Sequence, residues 1–206
     1  HEKKVPTFLR VAEEWLEYKK QGIRATTWQM YSYIIRMHLS EFHERRITLI
    51  CTRDVEMWIS RKREEKKALE SIRRFIVTLN QIMAFAFRHR LIDLNPVQGA
   101  ERPRKTVDEG LKRKLRILQP DQIRKFLEAA DDRQYRVLFM TAIMTGMRQG
   151  ELLGLRWEDV DFGKNQIHVK RSFNHGHFFS PKTAGSVRSI DVSPALSLEL
   201  KKWKLA

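Results

Sequence analysis

The sequence predicts a mainly α-helical protein with a small antiparallel β-sheet, an α+β chain in two domains. Three observations carry this reading. The first ninety-odd residues hold apolar side chains at three- and four-residue spacings, the period of helices with one buried face. After Gln166 the period drops to two, as in strands. Between the two regimes lies Gly99–Gly110, polar, rich in charged residues and without apolar periodicity, which reads as a linker. Domain limits of 1–103 and 112–206, joined by 104–111, follow from these changes.

Thr7 or a neighbour is placed to cap a first helix with Phe8, Val11, Trp15 and Leu16 on one side, and Gly22 ends it. A second helix starts near Thr26–Thr27 and carries Tyr31, Ile34 and Ile35. Leu39–Ile50 reads as a loop leading to Thr52, which sits like an N-cap before Val55, Met57, Trp58 and Ile59. The longest helix runs from about Ala68 to His89, with Ile72, Phe75, Ile76, Leu79, Met83 and Ala86 along one stripe. Asn95-Pro96 then breaks the chain. Four helices with short connections form a small bundle.

The second domain opens at Leu118-Gln119-Pro120-Asp121, where proline suits a first helical turn that continues through Ile123, Phe126 and Leu127. Tyr135–Met144 is nearly all apolar and predicts a buried helix ending at Gly146. Ile167 and Val169, then Ile190 and Val192, alternate with polar residues, and Asn174-His175-Gly176 and Ala184-Gly185 are turn signals between them. A sheet of two or three strands is expected.

Lys and Arg total 40 against 25 acids, a formal net charge of +15. Residues 1–110 hold 22 basic and 15 acidic side chains, and residues 111–206 hold 18 and 10. The excess is shared by both halves, which fits a protein lying along a polyanion over most of its length. Ribosomal and membrane-surface proteins share such a charge, so it narrows the partner only to polyanions. The single Cys51 excludes an internal disulfide or a cysteine zinc module and suits a reducing, cytoplasmic setting. No apolar run approaches the length of a membrane span, and no Gly-rich phosphate loop signals nucleotide use.

The chemistry concentrates in Thr145–Phe162, read as TGMRQGELLGLRWEDVDF. Arg148 and Glu151 are three apart and share a face if helical. Gly146 suggests a turn that presents Arg148 at a helix N-terminus, where backbone N–H groups favour an anion. Spacing alone leaves two readings level: an anion-binding arginine, or a structural ion pair with Glu151. Asp159 and Asp161, a pair that invites a two-metal nuclease, are better read as caps at the turn after Trp157. His175-x-His177 lacks a further metal ligand nearby.

The string T-G-M-R-x-G-E-L-x-x-L-x-W-x-D-V-D closely resembles the first catalytic box of the tyrosine recombinases, or phage integrases. The resemblance extends over the whole layout. The helical domain, with its ending Arg90-Leu91-Ile92-Asp93-Leu94-Asn95-Pro96, looks like the family's core-binding domain, and the second domain looks like the first part of its catalytic domain. It implies that Arg148 holds the scissile phosphate, its planar fork on the non-bridging oxygens, with Glu151 as a buttress rather than a base. Pro181–Val192 resembles the family's hairpin carrying a catalytic lysine, which falls on Lys182; it would protonate the departing 5′ oxygen.

In that family a second basic motif and the nucleophilic tyrosine follow the hairpin. The tyrosines here, Tyr18, Tyr31, Tyr33 and Tyr135, all precede Arg148. With a first residue His1 and an end inside a helical run, the expectation is a fragment, monomeric alone, that binds double-stranded DNA without cutting it. The intact recombinase would act as a synaptic tetramer through a 3′-phosphotyrosyl intermediate, with no cofactor or metal, in a bacterial or phage setting at the nucleoid. For DNA contact, Lys67, Arg74, Gln81 and Arg88 recur every seven residues opposite the apolar stripe. Lys66, and Arg104 and Lys105 in the linker, extend this row. Rival readings are a non-catalytic DNA-binding protein of the same fold, a type IB topoisomerase and an RNA-binding module.

Overall fold

The computed structural model describes residues 5–104, 117–174, 176–179 and 187–206. Two compact units divide the chain, His1–Arg113 and Lys114–Ala206.

The first unit holds α1 (Phe8–Lys20), α2 (Ala25–His38), α3 (Thr52–Glu64) and α4 (Leu69–Arg88). Its core draws on all four. Phe8, Val11 and Trp15 of α1, Ile34 and Ile35 of α2, Val55 and Trp58 of α3, and the whole predicted stripe of α4 are buried in one cluster. Met57, grouped with the apolar residues of α3 by sequence, is exposed, because it lies off the face that carries Val55, Trp58 and Ile59. Leu39–Ile50 is more than a loop. Two 3₁₀ turns, Ser40–Phe42 and Ile47–Leu49, drive Leu39, Phe42, Ile47 and Ile50 into the core.

Thr52 is not the N-cap of α3. Cys51 occupies that position, its backbone N–H donating to Asp54 Oδ2 at 2.8 Å, while Thr52 donates its hydroxyl to the Pro96 carbonyl at 3.1 Å. The helix start therefore anchors the segment after α4. Asn95 finishes that anchor, giving its amide to Asn80 Oδ1 and accepting from Val97 N–H. The chain stays bound to this unit past the predicted start of the linker stretch. Ala100 is buried, Glu101 N–H donates to Glu56, and Arg63 donates to the Arg104 carbonyl.

The second unit holds α5 (Pro120–Glu128), α6 (Arg133–Thr145), α7 (Gln149–Leu153) and α8 (Pro194–Lys204). Its strands are β1 (Val160–Asp161), β2 (Gln166–Val169), β3 (Ser172–Asn174), β4 (His177–Phe179) and β5 (Arg188–Asp191). β1, β2 and β5 form an antiparallel sheet in that order, with Ile167 opposite Ile190 and Val169 opposite Arg188. β3 and β4 make a separate hairpin that the apolar alternation did not reveal, because its strands are only three residues long and half-exposed. Val137, Met147, Ile167, Val169, Val192, Leu196 and Leu200 make the core. α6 is not the buried helix its composition suggests. Only Val137 and Thr141 are buried, and Tyr135, Ile143 and Met144 face outward. No helix among the described residues is long and apolar enough to cross a membrane.

Candidate functional site

The site is built on the turn between α6 and α7. Gly146 ends α6 at φ 63° and ψ 19°, a left-handed conformation that a side chain would strain. Buried Met147 pins the turn. Arg148 follows in extended conformation, φ −69° and ψ 151°, as the N-cap of α7. α7 is itself pressed onto β3 through its glycines. A Cβ on Gly154 would stand 3.1 Å from backbone atoms of Ser172 and Phe173, and one on Gly150 2.9 Å from the Asn174 amide. Absence of side chains at these two positions, one helical turn apart, fixes where Glu151 points.

Glu151 is the centre of the cluster. Its side chain is 9% exposed, and its oxygens accept from Arg148 N–H (3.0 Å) and Arg148 Nη1 (3.0 Å). They also accept from Arg188 Nη1 (3.1 Å) and Arg188 Nη2 (2.8 Å). These bonds, those from Arg188 foremost, hold its carboxyl well below the usual glutamate range, at about 2. The Arg188 guanidinium is correspondingly raised by the same carboxylate. Glu151 is therefore ionised at any physiological pH and has no proton to give or reason to take one. One carboxylate between two guanidiniums leaves a net positive site.

The two arginines share Glu151 unequally. Arg188 lays both terminal nitrogens on it in a fork-to-fork pair. Arg148 commits only Nη1, and its side chain is 78% exposed. The remaining N–H groups of Arg148 are turned to solvent at the start of a helix, ready for an anion. The ion pair with Glu151 is thus formed, and it leaves most of the Arg148 guanidinium exposed.

Arg188 was not singled out by sequence, although a signal existed. On a strand it shares a face with Ile190, which packs on the core, so a charge there needs a buried partner. Asp159 and Asp161 cap, as expected: Asp159 accepts from Arg156 N–H, and Asp161 from Gly163 and Lys164 N–H. Asp159 is also buried against Arg171 and Lys170. Trp157 meets Trp203 of α8 edge-on, ring centroids 5.2 Å apart. Lys182, Lys105 and His175 lie outside the described residues.

Two family models match the chain. The N-terminal SAM-like domain of phage integrases matches residues 7–63 and the phage integrase family matches residues 116–192. The chain belongs to the tyrosine recombinase (phage integrase) family. Its relatives include the ICEBs1 integrase of Bacillus subtilis (27% identical over 186 residues, 87% of this chain and 49% of that protein). Another is a XerC-like tyrosine recombinase of Caldanaerobacter subterraneus (25% over 207 residues, 92% and 53%). The chain spans about half the length of these curated relatives. Among solved structures, it shares the fold of the Tn1549 transposon integrase in complex with a circular intermediate DNA (TM-score 0.76, 19% identity, 95% of this chain and 64% of that one). A lambda integrase dimer bound to a core site gives a TM-score of 0.73 at 19% identity, over 97% and 70%. The α+β class predicted from sequence is thereby the fold of this family.

Proposed function

We propose that the intact protein is a site-specific DNA recombinase of the tyrosine class, and that Arg148 holds the phosphate at which a strand is broken. The observation that carries this is the solvent-facing guanidinium of Arg148 beside a fully hydrogen-bonded Glu151 that is ionised at physiological pH. Two N–H groups on the non-bridging oxygens would stabilise charge that builds at phosphorus during attack. Glu151 orients this group and does no proton transfer. Lys182 is assigned to protonating the 5′ oxygen. A phosphotyrosyl linkage conserves the energy of the broken bond, so the reaction needs no nucleotide or metal.

In this reading residues 1–103 are a core-binding domain and 112–206 the first part of a catalytic domain, joined by 104–111. Among solved lambda integrase structures is a tetramer bound to a Holliday junction, and a synaptic tetramer is proposed for the intact protein. DNA contact is assigned to Lys66, Lys67, Arg74 and Arg88, with Arg104 and Lys105. Lys66, Lys67, Arg74, Arg88 and Arg104 are exposed, and the first four join no ion pair among the described residues. Gln81 belongs to the same row, but it is half-buried with its amide on the Tyr31 hydroxyl at 3.3 Å, and it contributes least. The 206-residue polypeptide itself is proposed to bind DNA without cutting it. Its four tyrosines each pack on an aromatic ring: Tyr31 on Trp15, Tyr18 on Phe85, Tyr33 on His38 and Tyr135 on Phe139.

The test uses the full-length protein and a nicked suicide substrate carrying its attachment site. Arg148→Ala is expected to abolish the covalent DNA–protein adduct while gel-shift affinity stays within a few-fold. Undiminished adduct would remove Arg148 from the reaction. A wild-type protein that binds and never forms adduct would favour a non-catalytic DNA-binding role.

A further inference from the structure

Arg188 stands outside every role assigned so far, yet it makes the shortest contact to Glu151. Its geometry differs from that of Arg148 in a way that has consequences. Glu151 has two oxygens and four N–H groups to satisfy them. Arg188, one-third exposed on β5, spends both ends of its fork there. Arg148, already 3.0 Å from Glu151 Oε1 through one nitrogen, needs only a rotation of its terminal group to bring the second across. A bidentate guanidinium–carboxylate pair is the strongest arrangement open to either arginine. Only one of them can hold it.

We infer that Arg188 is a positioning residue for the recombination reaction: by occupying Glu151 in a bidentate pair it keeps Arg148 from closing on that carboxylate, and so leaves the Arg148 fork to the phosphate. This rests on the proposed role of Arg148. The placement of Arg188 suits the task. β5 is tied to β2 through the pairing of Arg188 with Val169, and Ile190, two residues on, is packed against the core. α7 is held on β3 by backbone contacts at Gly154. Carboxylate and competing guanidinium therefore come from two separately anchored elements, and their pairing does not depend on DNA. Removing Arg188 would leave a nearly buried carboxylate with Arg148 as its neighbouring cation, and burying such a charge with one partner is unfavourable enough to recruit the second nitrogen.

The distinguishing experiment is a double-mutant cycle in the full-length protein, read as the rate of covalent adduct formation on a nicked suicide substrate. Arg188→Ala is expected to slow the rate by roughly 10–100-fold, the usual cost of losing a partner that orients a working side chain. Adding Glu151→Gln removes the charge that would capture Arg148. The double variant is then expected to react faster than Arg188→Ala, up to the rate of Glu151→Gln alone, and Arg188→Ala to have little effect in the Glu151→Gln background. If Arg188 merely fastened β5 to α7, the second substitution would restore nothing, since the pair is already gone. If Arg188 touched DNA itself, the loss would be equal in both backgrounds. Either result overturns the inference, as does full activity of Arg188→Ala. Arg148→Ala serves as the reference: if it too keeps full activity, the recombinase role of Arg148 fails, whereas normal loss there with the wrong cycle at Arg188 overturns only the positioning role. Circular dichroism of each variant separates misfolding from a true rate effect, and Arg188→Lys, which keeps the charge but not the fork, is expected to fall between wild type and Ala.

Discussion

In the first unit all four helices give an apolar face to a single core, whereas in the second α5 buries none of its side chains and α6 buries two. The sequences of these helices do not differ in kind. α5 places Ile123, Phe126 and Leu127 at helical spacing much as α1 places Phe8, Val11 and Trp15. What differs is whether a partner surface exists for the stripe. In the second unit the order near Arg148 comes instead from buried acids clamped by cations: Glu151 by Arg148 and Arg188, Asp159 by Lys170 and Arg171. An apolar groove of about 450 Å³, lined by residues such as Val137, Leu152 and Trp203, lies beside them. The first unit is organised by packing from every helix, whereas the second adds hydrogen-bonded charge around Arg148 to a smaller apolar core. A guanidinium open to solvent cannot be enclosed in hydrocarbon, and the Arg148 side chain is 78% exposed.

The comparison breaks most readily at Trp58. It is fully buried, and its indole N–H donates to the His38 carbonyl at 2.9 Å. Trp58→Ala should cost about 3–5 kcal/mol in urea unfolding of the 206-residue polypeptide followed by circular dichroism. A cost below about 1 kcal/mol, the scale of an ordinary surface substitution, would mean that the first core does not close on this residue.

The same contrast explains what the amino-acid sequence made legible. The stripe of α4 was readable because a long amphipathic helix needs only its own period to declare a face, and every residue of it is buried. Gly146 and Arg148 were readable from the turn chemistry and the box around them. Exposure of α6 was not, since composition cannot say whether an apolar face finds a partner. Thr52 failed as a cap because its hydroxyl had a distant use, on Pro96, that local spacing does not encode. Arg188 was missed for a related reason: its partner lies 37 residues away, and only the register of β5 on β2 brings the two together.

Acid should weaken each unit at a hydrogen-bonded carboxylate, Asp54 in the first and Glu151 in the second. Hydrogen bonding to Arg45 holds Asp54 down at about 2 from its ordinary 3.8, and hydrogen bonding to Arg188 holds Glu151 at about 2 from 4.5. A folded-state value below the unfolded one means that the unfolded chain binds protons first as pH falls. The stabilisation is therefore complete above about pH 4.5 and is lost progressively toward pH 2. Denaturant midpoints measured across that window should fall for the wild type, and Asp54→Asn and Glu151→Gln should each flatten part of the slope. An unchanged slope in Glu151→Gln would show that the clamp around Arg148 does not stabilise the fold.

The smallest effect is expected on the open face of α6. Tyr135 is 55% exposed, and its ring lies 6.3 Å from that of Phe139, a loose stacking contact at the surface. Tyr135→Ala removes no enclosed volume and no hydrogen bond among the described residues, so it should shift stability by no more than about 0.5 kcal/mol. Set beside Trp58→Ala in the same polypeptide, it measures directly how far helical periodicity and burial have separated. A cost above about 1.5 kcal/mol would exceed what a surface position gives and would mean that something covers this face in solution. Repeating the measurement over a hundredfold range of protein concentration then decides what does: a cost that vanishes on dilution assigns the cover to a second copy of the chain, and one that persists assigns it to the polypeptide itself.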